Sequence, residues 1–458
     1  MTAKREAPDG GGFAPLGDRP GVTVVVPVHG GPGSCETDPL GQVLDRIRDR
    51  VAPGEGIGVL VCTTTRAEGP EPPGVRILTV PGPVRPWELV RTGLAAAQGD
   101  VVLLARPGAL PERAEIDGHV RVHETEHAAV TVGRVTVAAA ADGPRPDGMR
   151  DRYAEALTSH RRDLLTAVGV GETRAPEELL HRMLQFGAAL VPGPGTEVLQ
   201  PAEDDGAEAG AQDLPGGRDP DLEHRVPWLP ARRARPVRLW EVPFADAVVL
   251  AARASADEIR LTADLLLGGA DRDLRLTLVG PWGARDRATA DTVRLLREIY
   301  RYEPRVHMAE HVPAPVPGAP FRLSVPAGAE PVYDAVRALA SAADERAAGL
   351  LVLPCGDRGS LRWERTAALA RNRLAGGGKD GIAPPWTACV LDPGVALEEG
   401  PAWPADGPER VRAARREAKA LRENAMRWER RIRALTRGRA ARLLLGRSRP
   451  RPLSRRQR

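Results

Sequence analysis

Apolar residues fall along this chain in two alternating rhythms: short unbroken runs, and positions spaced by three and four. "VTVVVPV" (22–28) is a continuous β-branched run, as expected of a strand covered on both faces. Asp38 and Pro39 read as an N-cap and first helical residue, and Leu40, Val43, Leu44, Ile47 and Val51 follow at helical spacing. "IGVLVC" (57–62) and "VRILTV" (75–80) predict two more strands, and Pro86 opens a helix with Trp87, Val90 and Leu94 on one face. "GDVVLLARPGALPE" (99–112) reads as a helix end, a buried strand and a loop. Gly99 stands as the C′ residue, Val101 to Leu104 as the strand, and Pro107-Gly108 as its break. Residues 120–139 predict further strands; 151–167 and 175–187 predict helices. Such alternation predicts a mostly parallel sheet with right-handed crossovers.

"AEDDGAEAGAQDLPGGRDPD" (202–221) is acidic, Gly-rich and aperiodic, and reads as a linker or long surface loop. A second alternation follows. "DAVVLAA" (246–252) and "LRLTLVG" (274–280) predict strands, with a helix between them opened by a Ser255/Glu258 capping box. Residues 288–301 predict a helix, "FRLSVPAG" (321–328) an extended segment, 331–347 a helix, and "GLLVLPCGD" (349–357) a buried strand ending in a loop. Residues 78–108 and 323–357 share one layout of strand, Pro/Gly turn, helix, buried strand and polar loop. They predict two related α/β domains. In residues 407–437, Val411, Ala414, Ala418, Leu421, Ala425, Trp428, Ile432 and Leu435 recur in steps of three and four, an a/d seam. It predicts either a coiled-coil homodimer or a helix packed back on the body. The expected organisation is a disordered stretch at 1–20, a first α/β domain at 21–200, a linker at 201–235, a second domain at 236–405, a helix or coiled coil at 406–437 and a basic tail at 438–458.

Composition narrows the partners. The apolar share of 42% and charged share of 28% fit a globular protein. Aromatics are only 3%, so stacking platforms for single-stranded nucleic acid are scarce, and no specific nucleic-acid partner is expected. The net charge of +4 is unevenly placed: residues 430–458 hold twelve arginines and no acid. That tail predicts contact with an anionic membrane surface, a nonspecific nucleic-acid arm or a solubilising end. No signal-peptide pattern and no run of ~18 apolar residues occurs. Cys35, Cys62, Cys355 and Cys389 form no CxxC pair and predict a reducing compartment. The expected location is cytoplasmic, peripheral at the inner face of the plasma membrane.

"HETEH" (123–127) has the HExxH spacing of zinc peptidases, with His119 four residues earlier. Gly118 before it and "AAVTVGRVTV" after it leave little room for a helix, however, and "VRVHETEH" alternates as an edge strand would. In the second half, Asp357 of "PCGDRGS" is a weak candidate for metal, with Glu364 a turn into the next expected helix. A lone Asp in a Gly loop more commonly makes an Asx turn.

Residues 22 to about 190 resemble family 2 glycosyltransferases of the GT-A type. "VTVVVPVHG" is similar to that family's opening strand, and "WELVRTGLAAAQGDVVLLARPGALPE" to the helix, turn and strand leading to its metal-binding Asp-x-Asp. "RRDLLTAVGV" (161–170) and "PEELLHRMLQFGAALV" (176–191) resemble the segments before the acceptor site and around the catalytic base. The second half, with "LRWERTAALAR" (361–371), resembles long actinobacterial members. The resemblance implies two GT-A or Rossmann-like domains. It also implies a nucleotide sugar as donor and a cell-envelope glycan or lipid-linked acceptor. It assigns nucleotide-sugar contacts to Pro27, His29, Cys62 or Thr63, Arg91 and Arg106.

The departures are specific. Arg106, Pro107 and Gly108 occupy the Asp-x-Asp register, so the Mg²⁺ or Mn²⁺ of the family lacks its oxygen ligands. The base Asp falls at Pro176, with Glu177 and Glu178 immediately after it. Two readings follow. In one, Arg106 replaces the metal against the diphosphate and Glu177 or Glu178 is the base. In the other, the domain is inactive and serves as scaffold or partner of an active transferase. Arg106 as an ordinary solvated loop arginine stands beside both.

Overall fold

The computed structural model describes residues 16, 20–29, 39–51, 56–65, 70–82, 84–107, 109–133, 135–137, 153, 156–193, 198–200, 220–229, 239–252, 254–283, 286–376, 386–391 and 395–397. The expected disordered stretch at 1–20 lies almost wholly outside the described residues, as does the greater part of the expected linker. The seam at 406–437 and the tail at 438–458 lie entirely outside them. Among the described residues no helix is long and apolar enough to cross a membrane.

The first domain runs β1 (Val22–Val28), α1 (Pro39–Arg46), β2 (Ile57–Thr63), β3 (Val75–Thr79), α2 (Pro86–Ala96), β4 (Val101–Leu104), α3 (Arg113–Thr125), β5 (Ala129–Val132), β6 (Val135–Val137), β7 (Thr158–Arg161), α4 (Arg162–Val168), α5 (Pro176–Phe186), β8 (Ala189–Pro192) and β9 (Val198–Gln200). A short helix α6 (Pro220–Arg225) leads to the second domain: β10 (Ala245–Leu250), α7 (Ala256–Gly268), β11 (Leu274–Val279), α8 (Arg287–Ile299), β12 (Val306–Ala309), β13 (Phe321–Pro326), α9 (Ala335–Glu345), β14 (Ala348–Pro354), β15 (Ser360–Arg365), α10 (Thr366–Leu374) and β16 (Thr387–Val390).

Each domain is built on a seven-stranded sheet. The orders are β3-β2-β1-β4-β7-β5-β8 and β12-β11-β10-β13-β15-β14-β16. Only β7 and β15 run antiparallel to their neighbours. Strand for strand the two orders are identical, so the chain is an internal repeat of one α/β fold. The correspondence differs by one unit from the one expected. β13 matches β4, so 323–357 corresponds to the β4–α3–β5 unit and not to β3–α2–β4. Asp357 therefore follows the counterpart of β5, and Glu364 lies on β15, not in a helix.

The unbroken run of β1 serves two cores. Val25 packs with Leu60, Leu89 and Val102 beneath α2, α4 and α5. Val24, Val26 and Val28 pack with Val43 and Ile116 beneath α1 and α3. Gly99 is not a left-handed C′ residue; α2 ends before it, at Ala96. A Cβ there would sit 2.6 Å from Thr23 N and Val22 C, so glycine is required by close backbone approach to β1. Asp100 then accepts the Gly21 N–H at 3.1 Å and fixes the entry to β4.

Two expectations at 120–139 and 151–167 are corrected. Helix α3 continues to Thr125, so "HETEH" begins on a helix and not on an edge strand. Its start is tied by the Glu112 N–H donating to Glu115 at 2.9 Å. Residues 158–161 are a strand, β7, whose Thr158, Ser159 and His160 are fully buried. Ser159 is answered from α3 and β5 and His160 by Tyr153, while Thr158 Oγ1 has no hydrogen-bond partner among the described residues. His119 Nδ1 lies 2.6 Å from Thr131 Oγ1 and 3.0 Å from Ser159 Oγ. His123 Nε2 lies 2.8 Å from Ser159 Oγ, and His160 Nε2 lies 2.9 Å from the Tyr153 hydroxyl. His119 and His123 sit on one helical face but point into the core, and the motif's second histidine, His127, lies beyond the end of α3, its Nδ1 3.3 Å from the Arg161 guanidinium. No group of three potential ligands able to hold a metal exists among the described residues.

Burial, helped by neighbouring histidines, holds the His123 and His160 imidazoles well below their ordinary 6.5, at about 3. The unfolded chain binds protons at these sites below pH 6.5 and the native protein does not, so stability present above 6.5 drains as pH falls toward 3. The expected loss is about 1.4 kcal/mol per pH unit for each histidine. Urea midpoints measured from pH 7 to 4.5, above most carboxylate titrations, should fall steeply. His123→Gln, which keeps a hydrogen-bonding group, should flatten that slope by one proton; an unchanged slope would contradict the account.

Candidate functional site

In sheets of this order the strand sequence reverses direction between the first and fourth strands, and ligands bind at the carboxyl edge there. In the first domain that point lies between β1 and β4. Val25 pairs with Leu104, and the Ala105 N–H donates to Val25 O at 2.9 Å. Residues alternate faces along a strand, so Pro27 of β1 lies on the α2/α5 side of the sheet with Val25, and His29 and Arg106 follow just beyond the carboxyl ends of β1 and β4. His29 and Arg106 are exposed and Pro27 is half-buried. Arg106 closes a short loop by an antiparallel bridge to Ala109, whose N–H donates to Arg106 O at 3.0 Å.

Two helices begin at this edge. The Trp87 indole at the start of α2 donates to Thr173 O at 3.2 Å, just ahead of α5. Arg91, one turn further, donates to Gly171 O at 3.2 Å. Its guanidinium thus fastens the segment before α5 to α2. The half-buried Glu177 lies in the first turn of α5.

Other expected contacts are turned away from the edge. Cys62 is fully buried in the core under α2. A Cβ on Gly93 of α2 would come within 2.7 Å of its Sγ. Burial pushes the Cys62 thiol up to about 12. Thr63 is likewise buried, and its Oγ1 accepts the Thr65 N–H at 3.1 Å, closing a local turn. Glu178 is 1% exposed. Its Oε1 accepts from Arg182 at 2.8 Å and Arg225 at 3.2 Å, and its Oε2 accepts the Arg174 N–H at 2.9 Å. Both oxygens are engaged in structure, whereas Glu177 beside it is only half-buried. Arg225 comes from α6, within the stretch expected as a linker. There Leu222, Val226 and Leu229 form a small core against Ala175. The i, i+4 spacing to Arg182 was legible in the sequence; Arg225 was not.

No carboxylate pair stands at the β4 loop among the described residues. Arg106 and Pro107 offer no side-chain oxygen for a hard cation, and the donor set does not fit Mg²⁺ or Mn²⁺. The matching edge of the second domain is closed by protein. Thr262 Oγ1 of α7 accepts the Gly328 N–H at 2.9 Å and donates to Ala329 O at 2.7 Å. Arg358 spans the opening to Glu258 at 3.3 Å. The start of α7 carries Asp257 and Glu258, a poor seat for a phosphate. Asp357 is exposed in the turn after β14 and belongs to no metal-binding group among the described residues.

No protein-family model matches the chain, and no curated protein matches it by sequence. Solved structures do. Mannosyltransferase PcManGT from Pyrobaculum calidifontis, in complex with GDP-Man and Mn2+, matches at 17% identity and TM-score 0.31, over 43% of this chain and 61% of that one. S. aureus TarS matches at 11% and 0.30, over 39% and 36%. The 2-C-methyl-D-erythritol 4-phosphate cytidylyltransferase of Thermus thermophilus matches at 20% and 0.27, over 40% and 94%. The chain thus spans 61% of the mannosyltransferase and 36% of TarS, and its chemistry must be read from its own residues.

Removing the Glu178 carboxylate leaves two guanidinium groups facing each other at a partly buried site. Glu178→Gln should destabilise the protein by about 2–3 kcal/mol, whereas Glu177→Gln should stay within about 0.5 kcal/mol of wild type. Urea denaturation of both variants checks the contrast; equal losses would refute this division of roles.

Proposed function

We propose that the first domain binds a nucleoside-diphosphate sugar at the β1/β4 edge and transfers the sugar to a glycan or lipid-linked acceptor without a divalent cation. The observation that carries this reading is the exposure of His29 and Arg106 just beyond the carboxyl ends of β1 and β4, at the switch point of the sheet, with Arg106 where the family pattern has a metal-binding carboxylate. The Arg106 guanidinium matches a diphosphate bidentately and stabilises the charge that develops as it leaves. Glu177 accepts the acceptor hydroxyl proton. The bond from the sugar's anomeric carbon to phosphate breaks, a bond to the acceptor oxygen forms, and the nucleoside diphosphate departs. Arg91 acts as a positioning residue through the Gly171 carbonyl. The basic tail at 438–458 is the element assigned to the membrane surface, and the seam at 407–437 the element assigned to a homodimer.

A second reading, a non-catalytic domain that positions an active transferase, is favoured by the engagement of Glu178 and by the burial of Cys62 and Thr63. Calorimetric titration of UDP, GDP and dTDP, with and without Mn²⁺, separates the two. Transferase action predicts binding that Mn²⁺ leaves unchanged and that Arg106→Ala weakens by about tenfold or more, with Glu177→Gln abolishing turnover but not binding. Absence of binding by every nucleotide to folded protein would sink the transferase reading and leave the scaffold.

A further inference from the structure

The repeat is imperfect at one place. In the first domain the crossover from β3 to β4 contains α2, which covers an apolar sheet face of Val25, Leu60 and Val102. In the second domain the crossover from β12 to β13 is residues 310–320, with no helix. The sheet face beneath it is charged. Asp246 on β10 stands directly across from Arg275 on β11 and from Arg322 on β13. Asp246 and Arg322 are buried, and the loop answers them: Asp246 accepts the Val316 N–H at 3.2 Å, and Arg322 donates to Pro313 O at 2.7 Å.

A cavity of about 260 Å³ lies at the amino ends of β10, β11 and β12. Trp240, Arg272, Arg275, Arg305 and His307 line it. Two acids also line it, and both are engaged: Glu241 is 3.4 Å from Arg225, and Asp273 accepts the Phe244 N–H at 3.0 Å. Arg305 is held in a fork by Glu303, at 2.8 Å to each carboxylate oxygen. Arg272 and Arg275 have no hydrogen-bonding or ion-paired side-chain partner among the described residues. Two arginines without a side-chain hydrogen bond or close ion pair among the described residues therefore share a concave site with an imidazole and an indole, Arg275 lying near enough to the buried Asp246 carboxylate to stabilise its charge.

We infer that this cavity is a second ligand site, for a small organic phosphate. Its phosphoryl group is taken by Arg272, Arg275 and His307 through charge-assisted hydrogen bonds, and its body rests against Trp240. The cavity, at about 260 Å³, lies just below the ~300–1,000 Å³ of drug-sized ligand sites, which suits a phosphomonoester. The site is on the opposite edge of a sheet from the type of crevice used in the first domain, and it is independent of the transfer reading.

Calorimetric titration of phenyl phosphate and of inorganic phosphate into the full chain, at constant ionic strength set with chloride, tests this. The titration is made in an Arg106→Ala background so that the first-domain edge does not contribute. Saturable binding of both is expected, tighter for phenyl phosphate, and weakened about tenfold by Arg275→Ala. Trp240→Ala should remove the preference for phenyl phosphate. If Arg275→Ala melts early, Arg272→Ala, whose side chain is exposed, carries the same expectation. No saturable heat, or undiminished heat from the Arg272→Ala and Arg275→Ala proteins, would overturn the inference.

Discussion

A carboxylate removed from water must be neutralised where it stands, and for Glu178 the groups that do so come from two parts of the chain. Arg182 lies on its own helix and Arg225 on α6, beyond the first domain. Helix α5 is thereby fixed at its start, and its far side is fixed by the second domain. His181 Nε2 lies 2.8 Å from Gly318 O, and a Cβ on Gly187 would run into the backbone of Ala370 and Arg371 on α10. Arg371 adds an ion pair to Glu126 at 2.7 Å. The position of Glu177, and with it the geometry of the β1/β4 edge, depends on this fastening of α5 on three sides.

The repeat shows how one fold is specialised by losing parts. In the first copy, α2 and an apolar face leave the switch point open to solvent. In the second, Thr262, Glu258 and Arg358 close that point, while an arginine-lined cavity lies on the other edge. Both changes are local substitutions on an unchanged strand order, which is why fold resemblance alone says little about either site.

Much of the scaffold is legible in the sequence because the sheet strands are apolar runs and the helices keep a 3.6-residue rhythm. The exceptions have physical reasons. β7 reads as anything but a strand because its buried residues are Thr, Ser and His, of which Ser159 is met by histidines of α3 and His160 by Tyr153. The start of α3 is hard to read because its cap is made by two glutamates, Glu112 and Glu115, and because buried histidines at i and i+4 resemble alternation over a short window. The repeat pairs one unit out of step by sequence because β3–α2–β4 and β13–α9–β14 look alike locally, and only lateral order in the sheet tells them apart. Arg106 and Glu177 stand out because they sit at element boundaries. Glu178, Cys62 and Thr63 are candidate site residues only by family register; burial, which depends on the helices packed over them and on Arg225 from a distant segment, is not visible at their positions in the sequence.

The inserted antiparallel strand has a consequence for assembly as well. In the second domain β14 and β15 are joined by the five residues 355–359, so the pair closes as a hairpin. In the first, β5 and β7 are separated by the 25 residues 133–157. A fivefold longer loop costs roughly 1.4 kcal/mol more in chain entropy before any contact is gained. The second domain thus closes its central sheet at the smaller entropic cost, and the domain that carries the proposed transfer site at the larger.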